Sequence, residues 1–79
     1  MSYKVKWHEE AVGDLKGLDK PGVRSILDKV EKHLPKGPLS LGKPLKGIFK
    51  GLFRYRCGNY RVIYAMDREK KEIVVLRQE

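Results

Sequence analysis

The sequence predicts an α+β fold, a single domain of residues 1–79 in which a small antiparallel sheet is covered on one face by a helical hairpin. Three observations predict it. Residues 52–66 alternate in character about Gly58-Asn59, and a two-residue turn of this kind between β-branched and aromatic residues is a strong hairpin signal. Residues 9–34 instead repeat their apolar positions every three or four residues, with one interruption at Asp19-Lys20-Pro21, as two consecutive helices would. The segments 3–7 and 72–77 are short and rich in β-branched or large apolar residues, so the order is β-α-α-β-β-β.

In chain order, Tyr3-Lys4-Val5-Lys6-Trp7 alternates apolar with basic residues and reads as a strand with Tyr3, Val5 and Trp7 inward. Glu9 and Glu10 suit a first helical turn, and Ala11, Leu15 and Leu18 recur on one face of a short helix weakened by Gly13 and Gly17. Asp19 is placed to cap the next helix and Pro21 to sit in its first turn. Val23, Ile26, Leu27, Val30 and Leu34 form its apolar stripe, and it should end near Pro35. Helices joined so tightly should pack as a pair over the sheet.

Residues 35–51 hold three prolines and four glycines and read as a long loop tied down by Leu39, Leu41, Leu45, Ile48 and Phe49. Lys43, Lys46 and Lys50 are spaced through it, and solvation and anion contact account for them equally well. In the hairpin, a turn at Gly58-Asn59 pairs Cys57 with Tyr60, Arg56 with Arg61, Tyr55 with Val62, Arg54 with Ile63 and Phe53 with Tyr64. Alternation then sends Phe53, Tyr55, Cys57, Tyr60, Val62 and Tyr64 to the core and Arg54, Arg56, Arg61 and Ile63 to the other face. Like charges directly opposite one another, here Arg56 and Arg61, destabilise a sheet unless something relieves them. Two arginines would read as a solvated face; three on one hairpin face of a basic chain read as an anion site. Asp67–Lys71 is a polar turn before the last strand. If Val74 and Leu76 face the core there, Ile73, Val75 and Arg77 join the arginine face, but the turn length leaves that parity open.

Composition narrows the function. The formal charge is +8, from 18 Lys and Arg against 10 Asp and Glu, and the basic residues are spread along the chain rather than gathered in a tail. A folded basic face of this kind suits nucleic acid, an acidic protein or an anionic surface. No apolar run is long enough to span a membrane and no signal-like stretch opens the sequence, so the expected location is the cytoplasm. Cys57 has no cysteine partner and falls on the core face, where an inert thiol is expected. His8 and His33 lie outside any ligand spacing, so no metal site and no cofactor is expected.

Lys43-Pro44-Leu45-Lys46-Gly47, Gly51-Leu52-Phe53-Arg54-Tyr55-Arg56 and Gly58-Asn59-Tyr60-Arg61-Val62-Ile63-Tyr64, within the β-α-α-β-β-β order, resemble the RelE/ParE superfamily of toxins from type II toxin–antitoxin pairs. The resemblance spans almost the whole chain and implies a small RelE-like cytoplasmic toxin bound and neutralised by a cognate antitoxin protein. In the RelE branch it implies a ribosome-dependent mRNA endoribonuclease, an mRNA interferase that blocks translation without a metal by driving a ribose 2′-hydroxyl onto the adjacent phosphate. The alternatives are a ParE-like inhibitor of DNA gyrase and a catalytically deficient RelE-fold protein that only binds antitoxin or RNA. By the same resemblance Arg61 follows the Gly-x-Tyr turn and would contact the scissile phosphate, with Arg54 and Arg56 as further catalytic candidates. Lys43, Lys46, Lys50 and Arg77 would then contact RNA. The sequence departs from the family pattern at its C-terminus, where Arg77 precedes the position of a family arginine and no Tyr or His follows to move a proton. Glu79, a tyrosine of the sheet or a ribosomal group would have to do so.

Overall fold

A computed structural model describes residues 3–78. Strand β1 (Lys4–Trp7) leads into helices α1 (Glu9–Lys16) and α2 (Lys20–Asp28), followed by a short helix α3 (Pro38–Leu41) and a two-residue strand β2 (Lys43–Pro44). The hairpin strands β3 (Leu52–Cys57) and β4 (Tyr60–Asp67) come next, then β5 (Glu72–Gln78). Five strands form one sheet in the order β1-β5-β4-β3-β2.

The hairpin takes the register that its alternation dictates, with Arg56 opposite Arg61, Arg54 opposite Ile63 and Phe53 opposite Tyr64. Gly58 makes the turn at a φ of +64°, a conformation that costs glycine nothing. Cys57, Val62 and Tyr64 are buried, while Arg54, Arg56 and Arg61 are exposed. Ala11, Ile26, Val30 and Leu34 descend from the helical layer onto Cys57, Val62, Tyr64, Ile73 and Val75, so the helices cover one sheet face and leave the other open. Asp19 caps α2 by accepting the Gly22 N–H at 3.0 Å, as its position before Pro21 suggests. Part of each apolar stripe is only half-buried. Leu15, Leu18, Val23 and Leu27 line an open groove of about 660 Å³ between α1 and α2.

Two expectations about the sheet are corrected. The sheet is mixed rather than wholly antiparallel, because β1 runs parallel to β5 with Val5 beside Ile73 and Trp7 beside Val75. It also gains β2 from the segment read as loop, where Lys43 pairs with Arg54 and Pro44 with Phe53. The second helical path ends near Pro35 as expected, but not as one α-helix: after α2 the chain widens into a π turn over Lys29–His33 and tightens into a 3-10 turn over Leu34–Lys36. Pro35 has no N–H to continue an α-ladder and its ring presses on the preceding turn, so the helical path survives by changing pitch.

The parity of β5, left open by the sequence, is decided by its register. Ile73 and Val75 are the core residues of this strand, yet Arg77 still reaches the arginine face. Tyr64 pairs with Val75 and Ile63 with Arg77, which leaves Leu76 as an extra residue. This β-bulge reverses the parity, since strict alternation from Val75 would have turned Arg77 inward.

Candidate nucleic-acid interface

The open sheet face carries a cationic row. Residues directly opposite in neighbouring strands share a face, and Lys43, Arg54, Ile63 and Arg77 stand opposite one another in turn across β2, β3, β4 and β5. Arg56 and Arg61 form a second pair two residues along the hairpin. Strands lie about 4.8 Å apart, so these side chains project within reach of one polyanionic strand.

Lys43, Arg54, Arg56 and Arg61 line a single pocket of about 220 Å³ at the β3 edge, with Leu41 and Tyr55 completing its wall. None of these six is a carboxylate or an imidazole, and among the described residues no ion pair engages its four cations. The Arg56 Nε–H donates to the Gly58 carbonyl at 3.0 Å, which steadies its guanidinium over the turn. Guanidinium forks can hold phosphate oxygens two at a time. Burial, with Cys57 beside it, pushes the Tyr55 hydroxyl pKa above its ordinary value, so at neutral pH it keeps its proton.

Arg77 has a different setting from the other candidates. Its Nε and Nη2 donate to the two carboxylate oxygens of Asp14 at 3.0 and 3.2 Å, and the Gln78 N–H donates to the same carboxylate at 2.9 Å. The Arg77 hydrogen bond, then the Gln78 N–H, hold the Asp14 carboxyl below its usual range. β1 ends beside Val75, so α1 takes over the uncovered edge of β5 and Asp14 occupies the place of a missing strand neighbour. Sequence reasoning missed Asp14. The available signal was an acid in the last turn of a helix, where the dipole disfavours it and a tertiary partner is expected.

Lys46 and Lys50 are exposed on either side of a 3-10 turn, Gly47–Phe49, and line neither the cationic pocket nor its neighbour. That neighbour, about 390 Å³, is lined by Leu45, Phe49, Leu52, Ile63 and Leu76 with Arg54 and Arg77. Arg54 thus borders both pockets. The proton-moving role considered for Glu79 falls outside the described residues.

Residues 5–77 match the family model described as the ParE toxin of the type II toxin–antitoxin system, parDE. The chain is 34% identical over 77 residues to toxin RelG of Mycobacterium tuberculosis, covering 98% of this chain and 88% of that protein. It superposes on a chain of the toxin–antitoxin complex RelBE2 from the same organism with a TM-score of 0.97, at 32% identity, over 100% of this chain and 98% of that one. The archaeal RelE–RelB complex of Pyrococcus horikoshii is similar at a TM-score of 0.69 and 32% identity, over 100% of this chain and 94% of that one.

Proposed function

The chain belongs to the RelE/ParE superfamily of type II toxin–antitoxin toxins, and from that premise we propose that it is a RelE-like ribosome-dependent mRNA endoribonuclease of the cytoplasm. The observation that supports this reading is the convergence of Lys43, Arg54, Arg56 and Arg61 on one pocket free of acidic side chains. In the reaction the ribose 2′-oxygen loses its proton to a base and forms a bond to the adjacent phosphorus, the P–O5′ bond breaks and the departing 5′-oxygen takes up a proton, giving a 2′,3′-cyclic phosphate and a 5′-hydroxyl. Negative charge grows on the phosphoryl oxygens in the transition state, and clustered guanidinium groups stabilise it most where water is partly excluded.

The 2′-hydroxyl proton needs an acceptor, and neither the arginines, which stay protonated, nor the Tyr55 hydroxyl, which holds its proton, is suited to take it. In this reading the pocket supplies charge and orientation while a ribosomal group supplies the base. A cognate antitoxin completes the system, as the matched structures from M. tuberculosis and P. horikoshii are toxin–antitoxin complexes. The groove between α1 and α2 has an apolar floor and a rim of Lys16, Lys20, Arg24 and Lys32 with Asp28 and Glu31, which suits an amphipathic antitoxin helix.

The test is induced expression followed by mapping of messenger-RNA 5′ ends on translating ribosomes. New breaks are expected with the wild-type chain, and Arg61→Ala should reduce cleavage by about two to three orders of magnitude, the loss typical of removing one charge-stabilising donor. Toxicity and breaks that persist in a folded Arg61→Ala protein would refute the assignment. Because the matching family model is the ParE one, a second reading is inhibition of DNA gyrase. Growth arrest without RNA breaks, together with loss of supercoiling by purified gyrase, would favour it.

A further inference from the structure

The apolar pocket beside the cationic one has no role in the charge chemistry, yet it is built with care. Phe49 is 53% exposed on the 3-10 turn, and Ile48 before it is 93% exposed, a cost that a chain of this size has no packing reason to carry. The turn is closed at its base by the Leu45 N–H donating to the Leu52 carbonyl at 2.9 Å, and within by Phe49 N–H to the Lys46 carbonyl. Gly47 at a φ of +70° and Gly51 at +97° allow the tight path on either side. An aromatic ring is therefore presented from a short, internally hydrogen-bonded loop rather than left on a loose one.

Phe49, Leu45, Leu52 and Ile63 line this pocket together with Arg54, which also borders the four-cation pocket. Arg77 closes another side, with its fork engaged by Asp14, so it serves as a fixed wall. A nucleotide has the matching form: an anionic phosphate joined through a ribose to a flat, mostly apolar ring with polar edges. Single-stranded nucleic acid is held by this combination of a cationic track and aromatic faces on which bases stack.

We propose that the pocket beneath Phe49 takes a nucleobase of the RNA strand whose phosphate lies in the adjoining cationic pocket, and that Phe49 is the residue that grips and selects that base. The proposal rests on the ribonuclease reading for its ligand, and the test separates the two. Binding of a short single-stranded RNA to the purified chain is compared with binding of the same oligonucleotide carrying one abasic ribose at each position in turn, followed by NMR titration.

One abasic position should weaken binding by about 5- to 150-fold, the range that a stacked base commonly contributes. Phe49→Leu, which keeps an apolar cover over the sheet and should leave the thermal melt unchanged, is expected to erase the difference between intact and abasic RNA. Phe49→Trp should retain it. Arg61→Ala should weaken both oligonucleotides alike. If wild type binds intact and abasic RNA equally, with both still sensitive to Arg61→Ala, the base pocket is refuted while the phosphate site stands. If base discrimination survives in folded Phe49→Leu, Phe49 is not the selecting residue. If neither oligonucleotide binds in an Arg61-dependent way, the proposal falls together with the reading it rests on.

Discussion

At the scale of single residues, Tyr64 holds α3 and the chain leading into β2 against the sheet. The Tyr64 hydroxyl, fully buried, donates to the Pro38 carbonyl, and its ring stacks on Phe53 with centroids 5.4 Å apart. Gly42 passes over the same ring so closely that a Cβ there would lie 1.8 Å from the hydroxyl oxygen. Gly42→Ala is therefore expected to destabilise the fold by roughly 1–3 kcal/mol through overpacking, and to displace Lys43 from the pocket. Tyr64→Phe leaves a buried carbonyl unpaired and should cost about 1–3 kcal/mol in chemical denaturation. Burial raises the Tyr64 pKa to about 12 from the ordinary 10.0. The folded state holds that proton more tightly than the unfolded one, so the associated stability is full below pH 10 and falls as pH rises from 10 to 12. The alkaline limb of a stability–pH curve should be shallower in Tyr64→Phe. Sequence alternation places Tyr64 inward, but says nothing of a hydroxyl partner 26 residues away.

At the scale of elements, the attachment of α1 to β5 is the least local feature that bears on the site. Asp14 gathers the Arg77 fork and the Gln78 N–H across sequence separations of 63 and 64 residues. Its carboxyl pKa is lowered on folding, chiefly by the Arg77 hydrogen bond, from an ordinary value of 3.8. This stabilisation is present above the unfolded value and is lost as pH falls through the lower folded value. Asp14→Asn should lower the melting temperature at neutral pH and flatten the acid limb of the stability curve, and a limb identical to wild type would show that the pair contributes nothing. The hairpin, the helix order and the α2 cap were legible from periodicity and turn residues, because each depends on neighbours within a few positions. The β5 bulge was not, because an extra residue in a strand of Ile, Val, Val and Leu leaves no mark in composition.

At the scale of the whole molecule, part of the charge of +8 stands on the open sheet face and part on the rim of the α1–α2 groove on the helical face. Four cations meeting a single-stranded backbone should release counterions with a log–log salt slope of about −3. Replacing one of them, as in Arg61→Ala, should reduce that slope by about 0.7 whatever the RNA sequence, whereas Phe49→Leu should leave it unchanged. Fluorescence binding at several salt concentrations measures both. A slope that is the same in wild type and Arg61→Ala would remove Arg61 from the phosphate site. Among the described residues no helix is long and apolar enough to cross a membrane.

The sequence by itself determined the fold class, the hairpin register, the inward aromatic face and the outward Arg54, Arg56 and Arg61, and its motifs pointed to the family. These features rest on short-range rules: side chains alternate with period 2 in a strand, helices repeat every 3.6 residues, and Gly58 turns the chain where it stands. Tertiary structure alone decided that Lys43 joins the arginines through an edge strand, that Arg77 is shifted onto their face and bound to Asp14, and that Phe49 roofs a second pocket bordered by Arg54. Each of these requires segments far apart in the chain to meet. The meeting is set by how the sheet closes, by β1 lying parallel to β5 and by Gly42 letting the loop pass Tyr64, so no local pattern encodes it.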